Sequence, residues 1–154
     1  MSIEAPIRLE PFAAMLDAVA PQLCGPGFAG FWSQLNASLL IERVPPQYQE
    51  LVATADLPVQ DLFLRYQADL LERPIAEVVR WRDEGMAAVV AAGVPYLCLL
   101  ANEPAEADVA WLQERVPQTE LVVWPVEHHF PHLARPALFA DVLGELVRRA
   151  AVAG

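Results

Sequence analysis

The sequence predicts a mixed α/β protein in which a long helical region precedes a partial parallel sheet of two or three strands with flanking helices. Three observations carry this. Apolar residues ahead of Gly93 recur at helical spacing. Two later runs read as strands, and the first of them, Val94 to Ala101, is continuously apolar, as in a parallel strand covered on both faces. A helical pattern lies between those two runs, which makes a βαβ unit with the usual right-handed crossover. The chain therefore divides near Gly93, into residues 1–93, a leading strand with a helical region, and residues 94–154, a β-α-β-α segment.

Ser2 to Arg8 is a candidate third strand. Phe12, Met15, Leu16, Val19 and Leu23 follow Pro11 at helical spacing, and Val59, Leu62, Phe63, Tyr66 and Leu70 follow Pro58 in the same way. Both prolines stand where a first helical turn accepts them. Between these lie an aromatic-rich helix from Phe28 to Ile41 and another from Tyr48 to Ala55, separated by Pro45 and Pro46. A further pattern runs through Ile75, Val78, Val79, Met86, Val89 and Val90, with Gly85 a possible break and Gly93 the stop. Val94 to Ala101 reads as a central strand. Glu106 and Asp108 then open a helix, acids suiting its positive end, with Val109, Leu112 and Val116 facing inward. Thr119 to Trp124 is the next strand. The closing helix, Pro136 to about Ala151, turns Leu138, Phe139, Val142, Leu143, Leu146 and Val147 to the sheet.

With 154 residues, 55% of them hydrophobic, and a mean hydropathy of +0.30, the chain is long enough to bury a sizeable core. No apolar stretch approaches the roughly 20 residues of a membrane span. Met1 to Glu4 lacks the basic and apolar regions of a secretory signal, so a cytoplasmic location is expected. The net charge of −10, with no basic cluster beyond Arg148 and Arg149, argues against nucleic acid as a partner. Cys24 and Cys98 form neither a disulfide framework nor a metal knuckle, and both read as buried thiols.

Three segments carry a resemblance: Val94-Pro-Tyr-Leu-Cys-Leu-Leu-Ala-Asn-Glu103, then Trp111-Leu112, then Trp124-Pro-Val-Glu-His-His-Phe-Pro-His-Leu-Ala-Arg-Pro136. Together they resemble the carboxyl-terminal half of an α/β-hydrolase. In that family one strand ends in a turn bearing the triad acid, and the next leads into Gly-His-Phe-x-His-Leu-x-x-Pro, whose first His is the base. The resemblance implies Glu103 as acid and His129 as base, with Ser2 to Arg8 as the strand before a helical cap and Pro11 to Gly93 as the cap. His128 replaces the usual Gly before the base, and Ala101 and Glu103 replace the usual Gly and Asp.

The nucleophile elbow, Gly-x-Ser-x-Gly, is missing. The serines are Ser2, Ser33 and Ser38, none with flanking glycines. The resemblance thus implies a half-protein of esterase or acyl-hydrolase ancestry, with no cofactor, inactive alone and beginning one strand after the nucleophile. Its complement would be an N-terminal hydrolase half, and its substrate a small apolar ester or acyl compound. Physics alone supports part of this, because a His after one parallel strand and a carboxylate after its neighbour share the carboxyl edge of the sheet, where ligand sites form. A surface His and a surface Glu are the plainer interpretation of the residues by themselves.

Phe28, Phe31, Trp32, Phe63 and Tyr66 either line a pocket for an apolar acyl or aromatic group or form cap core, and His132 joins them as a substrate-side candidate through the motif. No metal site is expected from Glu127, His128, His129 and His132, because Pro131 interrupts the regular helix that would align them. The Gly-x-Gly-x-x-Gly of Gly25, Gly27 and Gly30 follows no strand and reads as a loop. The alternative function is a non-catalytic binding or assembly module. A truncated sheet leaves an open edge, so self-pairing into a homodimer is expected under either reading.

Overall fold

The computed structural model describes residues 1–55 and 59–153, and the helix start expected at Pro58 lies outside them. The chain forms two compact units. One comprises residues 1–7 and 82–154, the other residues 8–81. The boundary falls inside a continuous helix rather than at Gly93, for a reason visible in the packing: Met86 is buried with Cys98, Leu100, Leu112 and Val116 in the core of the sheet unit.

The sheet unit is built on three parallel strands in the order β1 (Ser2–Ile3), β2 (Tyr96–Leu100), β3 (Thr119–Val123). β2 is central. Ser2 pairs with Cys98 on one side, and Tyr96 to Leu100 pair with Thr119 to Val123 on the other. Leu97, Cys98, Leu99 and Leu100 are all buried, as the uninterrupted apolar run implies for a strand covered on both faces. β2 begins two residues later than expected, since Pro95 lacks a ladder donor, and ends one earlier, since the N–H of Ala101 is taken by a side chain. β1 is shorter still. Its extension toward Arg8 stops at Glu4, whose φ of 50° leaves the extended region.

In the helical unit, α1 (Leu9–Leu23) accommodates Pro11 in its first turn, where the missing N–H has no intrahelical acceptor. α2 (Phe28–Ser38) ends before Leu40, which takes a left-handed φ of 52° and leads into a short 3-10 turn over Ile41–Arg43. α3 (Pro46–Ala55) starts on a proline. The single helix expected after Pro58 is two, α4 (Gln60–Tyr66) and α5 (Ala68–Glu72), broken at Gln67, where ψ opens to 5°. Leu16, Leu23, Phe28 and Phe31 form the buried centre, with Phe12, Val19, Trp32 and Phe63 packed around it. The Gln60 amide closes the loop after α1 by donating to the carbonyls of Leu23 and Gly25. Cys24 caps α1 and is exposed, contrary to the buried thiol expected there.

α6 (Ile75–Ala91) runs unbroken through Gly85, and Gly93, at φ 64°, turns the chain out of it. α7 (Glu106–Arg115) crosses from β2 to β3 and buries Leu112, with Val116 just beyond its end. After β3 the N–H of Trp124 and the N–H of Val126 bond the carbonyls of Leu100 and Ala101, so the following loop is laid along the end of β2. α8 (Pro131–Ala134) starts at the buried Pro131, which opens a helical turn rather than interrupting one. α9 (Pro136–Ala153) closes the unit. Leu146 is buried, but Leu138 and Val147 face solvent, a correction to the apolar face expected for this helix. Residues 138 and 147 lie on nearly opposite sides of a helical wheel, and a three-stranded sheet is too narrow to cover both. Among the described residues no helix is long and apolar enough to cross a membrane.

Candidate functional site

At the carboxyl edge of the sheet, the turn that ends β1 meets the loop that follows β3. Glu4 stands at the first of these. Its N–H continues the ladder to the carbonyl of Leu99 at 3.0 Å, and its left-handed backbone turns the chain aside. That conformation costs a non-glycine residue about 1–2 kcal/mol. The side chain supplies compensation: Oε1 accepts the N–H of Ala101, the donor that β2 leaves over at its end. Oε2 is then directed at the other element and lies 3.0 Å from Nδ1 of His129.

The Glu4 side chain retains 13% of its exposure and that of His129 retains 44%, so the carboxylate is sheltered while the imidazole reaches solvent. A carboxylate accepts only, so the neutral imidazole carries its proton on Nδ1 and presents the lone pair of Nε2. Nε2 makes no hydrogen bond with any described residue. The pair is arranged as a general base requires: an oriented ring, a counter-charge behind it, and an accessible nitrogen in front.

The loop holding His129 is tied by its neighbours. His128 is buried, and its Nδ1 accepts the N–H of Phe130 at 3.1 Å, a bond available only when that nitrogen is unprotonated. Burial pushes the His128 pKa down. His132 is lowered as well, first by burial and then by the nearness of His128, and its buried Nδ1 has no hydrogen-bond partner among the described residues. Ring contacts run from His128 to Phe130 at 6.4 Å, Phe130 to His132 at 6.3 Å, His132 to Phe139 at 5.7 Å and Phe139 to Trp124 at 6.5 Å. His132 is thus packed among aromatic rings under the loop.

The sequence assigned the acid to Glu103. The structure places Glu103 on the surface, beside Asn102, Pro104 and Asp108, in an open pocket of about 300 Å³ that Glu4 also lines. Its carboxylate makes no hydrogen bond or ion pair with a described residue. The carboxylate facing His129 is that of Glu4, which the expected Ser2-to-Arg8 strand hid among its interior residues. Two signals were available: a Glu directly after two residues able to pair in a sheet, and Pro6, which cannot continue a ladder.

The aromatic candidates belong to the helical unit. Phe28 and Phe31 are buried, and their rings meet those of Trp32 and Phe63 at centroid distances between 5.7 and 6.5 Å, which makes these four part of that unit's core. Tyr66 stands apart with 84% of its surface exposed. Ser33 and Ser38 lie on α2, where the Ser38 hydroxyl donates to the carbonyl of Leu35. Among the described residues no group of three or more His, Cys, Asp or Glu is placed to hold a metal ion.

No protein-family model matches this chain, and no curated protein or solved structure matches it.

Proposed function

We propose that this chain carries the acid–base part of an acyl-transfer site of α/β-hydrolase type, with His129 as general base and then acid and with Glu4 orienting it. The observation that supports this is the 3.0 Å pair between Glu4 Oε2 and His129 Nδ1 at the carboxyl edge of a parallel sheet. In the full reaction a serine supplied by another polypeptide attacks the ester carbonyl and His129 Nε2 takes the hydroxyl proton. The resulting imidazolium, stabilised by Glu4, returns that proton to the leaving alkoxide. Glu103 is then a residue of the pocket that Glu4 also lines, and small esters or acyl compounds are the substrate class.

The test is hydrolysis of a short-chain aryl ester by the purified chain, alone and mixed with an elbow-bearing hydrolase half. Turnover that requires both and disappears in His129→Ala supports the proposal. Turnover by the chain alone that is lost in His129→Ala overturns the incomplete-site reading, and an active mixture indifferent to His129→Ala overturns the role of His129.

A second reading rests on β3, a five-residue strand paired on one side only among the described strands. Such an edge suits a non-catalytic module that assembles with a second copy or another chain through sheet extension. A monomer by light scattering at high protein concentration counts against self-assembly.

A further inference from the structure

Glu4 faces His129 only while the chain around it holds a left-handed turn, so whatever clamps the residues after Glu4 controls the pair. β1 and the Ala101 N–H secure the near side. On the far side the side chain of Arg82 does so. Nη2 of Arg82, on α6, donates to the carbonyl of Pro6 at 3.0 Å and also to the carbonyl of Ile7. We propose that Arg82 is a positioning residue for the Glu4–His129 pair, holding the turn that carries Glu4 by gripping two successive carbonyls. The inference rests on the assignment of that pair as the acid–base unit.

The guanidinium is itself held in place. Its carbon lies 5.1 Å from the centroid of the Trp111 ring, and the guanidinium of Arg115 lies 4.1 Å from the same ring. Arg115 is anchored in turn, its Nε 3.2 Å from Oδ1 of Asp83, the residue next to Arg82. Two helices, α6 and α7, thereby fix a planar donor group against the segment that leaves β1. A planar fork can stack and bridge two acceptors together, whereas an ammonium is a single point charge on a flexible stem. Arg82 takes no proton in the reaction. Its effect passes through the backbone of residues 5–7.

The experiment compares the native chain with Glu4→Gln, Arg82→Gln and Arg82→Lys. The ¹⁵N spectrum of His129 reports which ring nitrogen is protonated, the rate of acylation of His129 by diethylpyrocarbonate reports the accessible lone pair, and circular dichroism reports the fold. Arg82→Gln is expected to shift the tautomer and slow acylation severalfold toward the Glu4→Gln values with helix content unchanged. Arg82→Lys should fall between native and Arg82→Gln. If Glu4→Gln leaves both readouts at native values, the pair itself is refuted, along with the reading it supports. If Glu4→Gln changes them and both folded Arg82 variants do not, Arg82 has no positioning role. Should neither Arg82 variant fold, Arg82 is a scaffold residue and the proposal also falls.

Discussion

The carboxylate of Glu4 lies 3.0 Å from Nδ1 of His129, while its other oxygen receives the N–H of Ala101, so both acceptor atoms of one side chain are in use. Two elements far apart in sequence are joined through a group that glutamine cannot copy, because an amide offers one acceptor and one donor. Whichever bond Gln keeps, the other is lost or reversed. A Gln amide turned toward His129 would donate to Nδ1 and drive the ring proton to Nε2, removing the lone pair that a base needs. Glu4→Gln is therefore expected to cost about 1–2 kcal/mol of stability, read from urea unfolding, through a weakened charge-assisted bond. In a reconstituted ester-hydrolysis assay it should lower kcat by about 10³–10⁴, as loss of the correct tautomer does in comparable sites. Unchanged kcat would remove Glu4 from the mechanism.

The bond from the Phe130 N–H to His128 Nδ1 makes the loop sensitive to acid. An unfolded imidazole titrates near 6.5, and burial places the folded value of His128 lower, with His132 lowered in the same direction. Between those values the unfolded chain binds more protons than the folded one, so the stability present above pH 6.5 is lost as pH falls through the folded pKa values. His128→Asn keeps an acceptor near the position of Nδ1 without titrating. Its urea midpoint should depend less steeply on pH below 6.5 than that of the native chain, with a residual slope contributed by His132 and the carboxylates. An identical slope in the two proteins would refute the link.

The βαβ core was legible because burial on both faces writes itself as an unbroken apolar run, and Leu97 to Leu100 obey it. Leu112 and Val116 were legible for the same reason, at helical spacing. The acid partner of His129 was not, since it depends on one left-handed residue at Glu4 and on a spare N–H at Ala101, neither of which leaves a periodic trace. The unit boundary was hidden by the continuity of α6, whose apolar spacing does not change where its packing partners do. The break at Gln67 was missed because Tyr66 and Leu70 keep helical spacing across it. Cys24 shows a further limit: residue type suggests burial, but a residue at a helix end takes the exposure of the turn it occupies.

Gly85 and Gly93 should respond oppositely to alanine. Gly85 lies inside α6, and a Cβ built there meets nothing within 4 Å. Gly85→Ala should raise stability by about 0.5–1 kcal/mol by reducing unfolded-state entropy and adding helix propensity. Gly93 has equally open surroundings, but its φ is +64°, so Gly93→Ala carries a backbone cost of about 1–2 kcal/mol with no clash to explain it. Thermal unfolding of the two variants decides this. A destabilised Gly85→Ala would show that the helix does not run through residue 85 as described.

The two thiols should differ in reactivity for reasons of position rather than of type. Cys24 is exposed at the end of α1, whereas Cys98 sits in the middle of β2 with 2% of its surface accessible. Burial raises the Cys98 pKa, and the Glu4 carboxylate raises it further against smaller opposing effects from Arg82 and the N-terminal ammonium, so little thiolate forms near neutral pH. Iodoacetamide should therefore modify Cys24 within minutes and Cys98 only as the sheet opens. The slow phase should lengthen or shorten with the stability of the variants above, and should merge with the fast one in urea beyond the unfolding midpoint. Rapid labelling of Cys98 under native conditions, with circular dichroism intact, would mean that β2 is not the covered central strand on which the placement of Glu4 and His129 depends.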